Sequence, residues 1–321
     1  MRALNLTRLD GPDALELTDV PVPASDGRLV VEVHAAGVGF PDLLMSRGRY
    51  QFRPEPPFTP GVELAGIVHA APEGSSFQPG DRVAASSPLG AWAEFALAAP
   101  AVTFSIPADM TFGQGTALVN YQSAYFGLAE RGQAQAGETV LIHGAAGGVG
   151  SAAVDVAKAL GLKSIAVARG EAKLAAARDL GADHCIDAEA DWLAEVRKLT
   201  DGGVDLVFEP VGGDRFLDSV RALAGGGRLL VIGFAAGKIP EVKVNRLLLR
   251  NSSVVGVAWG EFIRHDPRMP QRVAKELDAM WQARKINPLV GKTFPFERAA
   301  DALREVEERR AIGKIVLAVR E

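Results

Sequence analysis

Residues Glu138-Thr-Val-Leu-Ile-His-Gly-Ala-Ala-Gly-Gly-Val-Gly150 set a short apolar strand before a glycine-rich turn, and Ser151-Ala-Ala-Val-Asp-Val-Ala-Lys-Ala-Leu160 continues as a helix. Strand, glycine turn and helix in that order form the opening of a dinucleotide-binding βαβ unit, whose chemistry is the holding of a pyrophosphate. Gly147 would let the backbone approach the phosphates, and Gly150 would let the helix pack closely on the strand. Ala146, Gly148 and Val149 complete the turn, where free N–H groups and the positive end of the helix dipole favour an anion. Ala145 stands where the first glycine of the usual G-x-G-x-x-G falls, so the fingerprint is one residue short. Glycine also ends strands for structural reasons alone; the strand before and the helix after carry the nucleotide reading.

The next segment bears on which nucleotide. After Gly161, Leu162-Lys-Ser-Ile-Ala-Val-Ala168 reads as a second strand. A unit for NAD carries Asp or Glu at its end, about 20 residues past the glycines, on the ribose 2′-hydroxyl. This chain has Arg169 there, with Lys173 following. A carboxylate repels a 2′-phosphate, whereas a guanidinium binds it through parallel hydrogen bonds. The expected cofactor is therefore NADPH rather than NADH. Arg169 and Lys173 also read as solvated surface charges, but the missing acid is informative even then.

These residues need a frame to hold them, and length and composition say what kind. A chain of 321 residues suits two domains, and 48% hydrophobic content with 35 glycines fits a packed α/β protein with many tight turns. A formal net charge of −4 argues against a general nucleic-acid or anionic-membrane surface. The first ten residues lack the apolar core of a signal peptide, and no apolar run approaches the ~20 residues of a spanning helix. Cys185 is the single cysteine, which excludes an intrachain disulfide and a thiolate zinc cluster. A cytoplasmic setting is expected, with Cys185 a packed residue.

Residues up to about Asn120 read as β-rich, with strands at 29–35, 66–70, 81–84 and 92–96 punctuated by Pro and Gly as in a small barrel. From Glu138 strands and helices alternate: helix 172–180, strand 204–208, helix 215–223, strand 228–232. Alternation of this kind implies a parallel sheet with helices on both faces. The pattern breaks after 254–257; a helix at 271–283, a strand-like stretch at 285–289, a charged helix at 297–310 and a strand at 313–319 follow. The expected fold class is α/β, with domain boundaries at 1–122, 123–258 and 259–321, the last segment rejoining the first.

The chain resembles the zinc-free quinone oxidoreductase branch of the medium-chain dehydrogenase/reductase superfamily. The resemblance runs over nearly the whole length through Ala36-Gly-Val-Gly-Phe-Pro-Asp42, Arg47-Gly-Arg-Tyr50, Pro60-Gly-Val-Glu-Leu-Ala-Gly66, Gly80-Asp-Arg-Val83, Asn120-Tyr-Gln-Ser-Ala-Tyr125, the turn at 144–150 and Leu180-Gly-Ala-Asp183. It implies a GroES-like β-barrel catalytic domain with an inserted Rossmann domain and the cofactor between them. Zinc-dependent members bind a catalytic zinc through Cys, His and Glu or Cys; here Asp42 stands near the cysteine position and Val62 where the His of Gly-His-Glu would be. The five histidines are scattered with no i,i+3 or i,i+4 pair, so no metal is expected.

Without a Lewis acid, hydride transfer needs an electrophilic acceptor, and a quinone or other activated α,β-unsaturated carbonyl qualifies. The resemblance makes Tyr50 the candidate donor to the acceptor oxygen, with a structural aromatic as the alternative. Gly39 and Leu44 replace an Asn and a Tyr of related reductases, which leaves a more apolar pocket that Phe40, Leu44 and Phe52 would line. It further implies cofactor contacts at Asn120, Ser123, Gly212, Gly233 and Phe234; Arg309 is a candidate for the 2′-phosphate, or equally one charge of a solvated helix end at 307–310. Two other functions stay open: an enoyl-thioester reductase, with Arg47, Arg49 and Arg53 for CoA phosphates, and a non-catalytic NADPH-binding protein. A homodimer is expected through an apolar edge strand at 228–232 or 253–257.

Overall fold

The computed structural model describes residues Met1–Arg320. The chain forms two compact units, one of Met1–Val119 with the segment from Leu289 onward, the other of Asn120–Pro288. In chain order the first unit contributes β1 (Arg2–Leu6), β2 (Leu15–Asp19), β3 (Leu29–Val38), α1 (Phe40–Ser46), β4 (Glu63–Ala70), β5 (Arg82–Ser86), β6 (Phe95–Ala98) and β7 (Thr103–Ser105). Helix α2 (Phe112–Tyr125) carries the chain across the boundary. The second unit then runs β8 (Thr139–His143), α3 (Gly148–Ala159), β9 (Lys163–Ala168), α4 (Glu171–Asp179), β10 (His184–Asp187), α5 (Trp192–Leu199), β11 (Val204–Glu209), α6 (Phe216–Ala222), β12 (Leu223–Val231), α7 (Asn245–Arg250), β13 (Ser253–Gly256), α8 (Trp259–His265) and α9 (Met269–Gln282). The chain returns through β14 (Val290–Pro295), α10 (Ala299–Glu307) and β15 (Lys314–Ala318).

In the first unit β1 and β2 form a two-stranded sheet, with single bridges from β1 to Ala93 and Phe58, and the main sheet has the order β14-β15-β3-β4-β5-β7 with β6 also on β3. It is antiparallel except for β14 on β15. The second unit's sheet has the order β10-β9-β8-β11-β12-β13, every pair parallel. Strand order therefore reverses between β8 and β11, where doubly wound sheets open a crevice for ligands at the carboxyl ends of their strands. Val140, Leu141 and Ile142 of β8 are wholly buried, the unbroken apolar run of a strand covered on both faces. Helix α3 buries Ala152, Ala153, Val154, Val156 and Ala157, and its small side chains bring it close to the sheet. It stops at Gly161, whose φ of +76° and N–H bond to the Lys158 carbonyl end the helix in a left-handed turn.

The domain limits differ from the sequence expectation. The second unit begins at Asn120 rather than 123 and continues to Pro288 rather than 258. Helices α8 and α9 group with it because their partners are there: the rings of Trp259 and Phe262 pack tilted against Phe126 with centroids 5.2 and 4.8 Å away, and Arg272 bonds Glu130 at 3.1 Å. The stretch 285–289 is not a strand; Asn287 gives its N–H to Asp155 of α3 at 2.6 Å, and pairing begins only at Val290. The strand expected at 92–96 lies at Phe95–Ala98, since buried Trp92 turns inward to donate its indole N–H to the Gly37 carbonyl at 3.0 Å.

Candidate active site

In the second unit the turn from β8 to α3 is built as the sequence demands, with one shift. Gly144, φ +61°, takes the left-handed conformation, one residue before Ala145, which is buried. Ala145 can therefore stand in for the usual glycine. Gly150 has no alternative: a Cβ there would sit 2.0 Å from the Gly144 carbonyl oxygen. Gly147 is different. Its φ of −79° suits any residue, and the nearest chain atom to an ideal Cβ is 3.5 Å away. Neither backbone nor packing requires glycine at this position, which leaves a cradle that a side chain would fill. Gly147 is also the N-cap of α3, and no side chain caps that helix, so the N–H groups of Gly148, Val149 and Gly150 meet no capping side chain.

The other expected contacts of this unit gather along the same carboxyl edge. Asn120 of α2 reaches the start of α3, its Oδ1 3.1 Å from an ideal Cβ on Gly148, and Ser123 lies one turn further along α2. Gly212 follows β11 in a conformation, φ +67° and ψ −146°, open only to glycine. Gly233 and Phe234 follow β12, and hydrogen bonds from Ala235 to the Pro210 carbonyl (3.0 Å), Ala236 to that of Val211 (2.8 Å) and Gly213 to that of Lys238 (3.0 Å) tie the two turns together. Buried Ala146 packs against Ala168 at the end of β9. Arg169 follows directly, exposed and paired with Glu189 at 2.8 Å, and Lys173 lies in the first turn of α4.

Beneath this edge lies a polar cluster to which sequence reasoning gave no role. Glu209, the last residue of β11, is buried; its Oε1 accepts the N–H groups of Val211 (2.9 Å) and Gly212 (3.0 Å). Its Oε2 accepts the hydroxyl of buried Ser219 at 2.7 Å. His143, the last residue of β8, sets Nε2 3.1 Å from the same Ser219 oxygen and packs its ring edgewise on Trp192. Burial lowers the His143 pKa, Glu209 opposing it and Arg215 adding to it, so the ring is neutral. Ser219 spends its one proton on Glu209, and His143 therefore donates Nε2–H to Ser219.

Four further expected residues belong to the first unit. Phe40 and Leu44 are one turn apart on α1, and half-buried Tyr50 and exposed Phe52 follow on the next loop. Arg309 belongs to this unit too, just past α10 with φ +57°, whereas Arg169 belongs to the other. Arg47 is a strut: it bonds Glu307 at 2.7 Å and the Asp10 carbonyl at 2.7 Å. In this arrangement its charge is shared with Glu307. Behind α1, Lys314 is buried against Glu63, with Asp42 close by. Gly37 is required by this cluster, since a Cβ would meet Glu63 Oε2 at 2.3 Å. Lys314 thus places its side-chain nitrogen among the segments where zinc-dependent relatives would carry ligands. Among the described residues no group of three or more His, Cys, Asp and Glu is placed to hold a metal ion, and no helix is long and apolar enough to cross a membrane.

With this geometry the comparisons agree. The alcohol dehydrogenase GroES-like domain model matches residues 25–108, and the model called zinc-binding dehydrogenase matches 148–279. The quinone oxidoreductase-like protein 2 of Bos taurus is 37% identical, covering 95% of this chain and 88% of its own. A probable oxidoreductase of Mycobacterium abscessus superposes with a TM-score of 0.91 at 43% identity, over 99% of this chain and 98% of that one. The quinone oxidoreductase of Thermus thermophilus, solved alone and with NADPH, gives 0.84 at 35% identity over 99% and 100%. Fold and site define a medium-chain dehydrogenase/reductase: a GroES-like domain joined to a Rossmann domain. Within that superfamily the chain belongs to the zinc-free quinone oxidoreductase-like family.

Proposed function

We propose that this chain is an NADPH-dependent reductase of quinones and other activated α,β-unsaturated carbonyls that works without zinc. The observation that carries the reading is Gly147, left open where neither conformation nor packing asks for glycine, at the head of an uncapped helix and beside the reversal of strand order. Its NADPH-bound relative supports the cofactor. NADPH, when bound, supplies a hydride. The amides at the start of α3 hold its pyrophosphate; Asn120, Ser123, Gly212, Gly233 and Phe234 border its nicotinamide half; Arg169 and Lys173 answer the 2′-phosphate, with Arg309 as a further cation. Phe40, Leu44 and Phe52 line an apolar pocket, and the Tyr50 hydroxyl donates to the acceptor oxygen as charge develops there. We further propose a homodimer paired through β13.

The test is steady NADPH oxidation over a panel of quinones, enones and enoyl-CoA thioesters. Small quinones should turn over fastest, and chelator should leave the rate unchanged. NADPH should bind at least about tenfold more tightly than NADH, and Arg169→Asp should reverse that order. Faster enoyl-CoA turnover would favour the thioester reading, no oxidation with any acceptor a binding protein, and equal affinities would remove the assignment of Arg169.

A further inference from the structure

We infer that Glu209, held by Ser219 and His143, is a positioning residue that sets the turn bordering the nicotinamide half of the cofactor; this rests on the cofactor reading above. Glu209 and His143 are the last residues of β11 and β8, the two strands between which the sheet order reverses. A carboxylate in such a place is costly unless its lone pairs are used. Three of its acceptor sites are: Oε1 takes the Val211 and Gly212 amides, and Oε2 takes the Ser219 hydroxyl. The two amides belong to the turn in which Gly212 adopts its glycine-only conformation. A carboxylate accepting from successive N–H groups fixes their orientation, and the tilt of the Gly212 peptide with it. The effect reaches the neighbouring turn, because Pro210 and Val211 accept from Ala235 and Ala236, and Gly233 and Phe234 sit just before them.

The bonds of this network run among Glu209, Val211, Gly212, Ser219 and His143, at the ends of β8 and β11 and on α6. Arg169 and Lys173 lie elsewhere, past β9, where Arg169 pairs with Glu189. Glu209 should therefore matter for the nicotinamide half and be indifferent to the adenine half and its 2′-phosphate.

Titrating NADPH and adenosine 2′,5′-bisphosphate against wild type, Glu209→Ala, Glu209→Gln and Ser219→Ala tests this. Glu209→Ala should weaken NADPH at least about tenfold, raise its KM alike, and weaken the bisphosphate less than about twofold. Glu209→Gln should stay within about threefold of wild type for NADPH, since its amide oxygen still accepts both N–H groups. Ser219→Ala should fall between the two and also spare the bisphosphate; it carries the test should Glu209→Ala not fold. Equal loss of both ligands, or unchanged NADPH affinity in Glu209→Ala and Ser219→Ala, overturns the inference. A wild-type protein that bound neither ligand would overturn the cofactor reading and this role with it. Wild-type binding with unaffected variants removes only the role of Glu209.

Discussion

The carboxyl of Asp42 is enclosed with Glu63 and Lys314, and one of its oxygens accepts the Gly39 N–H at 2.8 Å. Burial, reinforced by the Glu63 charge and opposed by Lys314, raises its pKa from 3.8 to about 7. Between those values the native state keeps a proton that the unfolded chain has released. Stability from this group is thus complete below the unfolded value and is lost as pH rises through the folded one. Asparagine has the shape of the neutral acid and can still accept from Gly39. Asp42→Asn should therefore match wild type below about pH 4 and increasingly exceed it from there to about pH 8, read as urea midpoints at the two ends. An unchanged pH slope in the variant would show that Asp42 keeps its charge and that Lys314 alone balances both carboxylates.

The turn from β8 to α3 gives two glycines opposite duties, and alanine separates them. In Gly150→Ala the new methyl would meet the backbone of Gly144 at 2.0 and 2.7 Å, and no rotamer relieves a backbone clash. The helix must shift, and a loss of about 1–3 kcal/mol is expected in thermal or denaturant melts. Gly147→Ala meets nothing nearer than 3.5 Å, so its stability should stay within about 0.5 kcal/mol while NADPH affinity falls at least about tenfold. Unchanged affinity in that variant would mean that phosphate does not approach Gly147. This turn was legible in the sequence because its constraints are local: strand, glycines and helix are neighbours in the chain. The alternation from β8 to β12, β10 and α5 excepted, was legible for the same reason. Strand β10, short and partly exposed, was missed, as were β1 and β2, whose side chains are half polar. Helix α8 was not legible, and its residues group with the second unit rather than the first because their anchor, Phe126, is remote in sequence. Glu209, Ser219 and His143 were unreadable as a group, since only the reversal of strand order brings β8, β11 and α6 together.

The parallel sheet of the second unit ends in β13, which among the described residues has a neighbour, β12, on one side only. The Val257 N–H bonds the Val231 carbonyl, so by the two-residue period of a strand the amides of Val255 and Ser253 also face β12, and those of Val254 and Gly256 face outward. Val254 of β13 is exposed, and in the segment just before β13 in the chain so are Val244, Leu248 and Leu249, the last at 80%. An apolar strand edge preceded in the chain by exposed leucines invites a partner, and a two-fold axis lets two copies of β13 pair antiparallel and extend the sheet. Arg131 covers one outward group, donating to the Gly256 carbonyl at 3.1 Å, so pairing must centre nearer Val254. Light scattering at micromolar concentration should give twice the chain mass. Val254→Pro removes an outward donor without touching the bonds to β12, and should yield a folded monomer that still binds NADPH. Leu248→Glu should do the same by placing charge in the apolar rim. A wild-type monomer would defeat the dimer, and a dimer surviving both substitutions would move its interface away from β13.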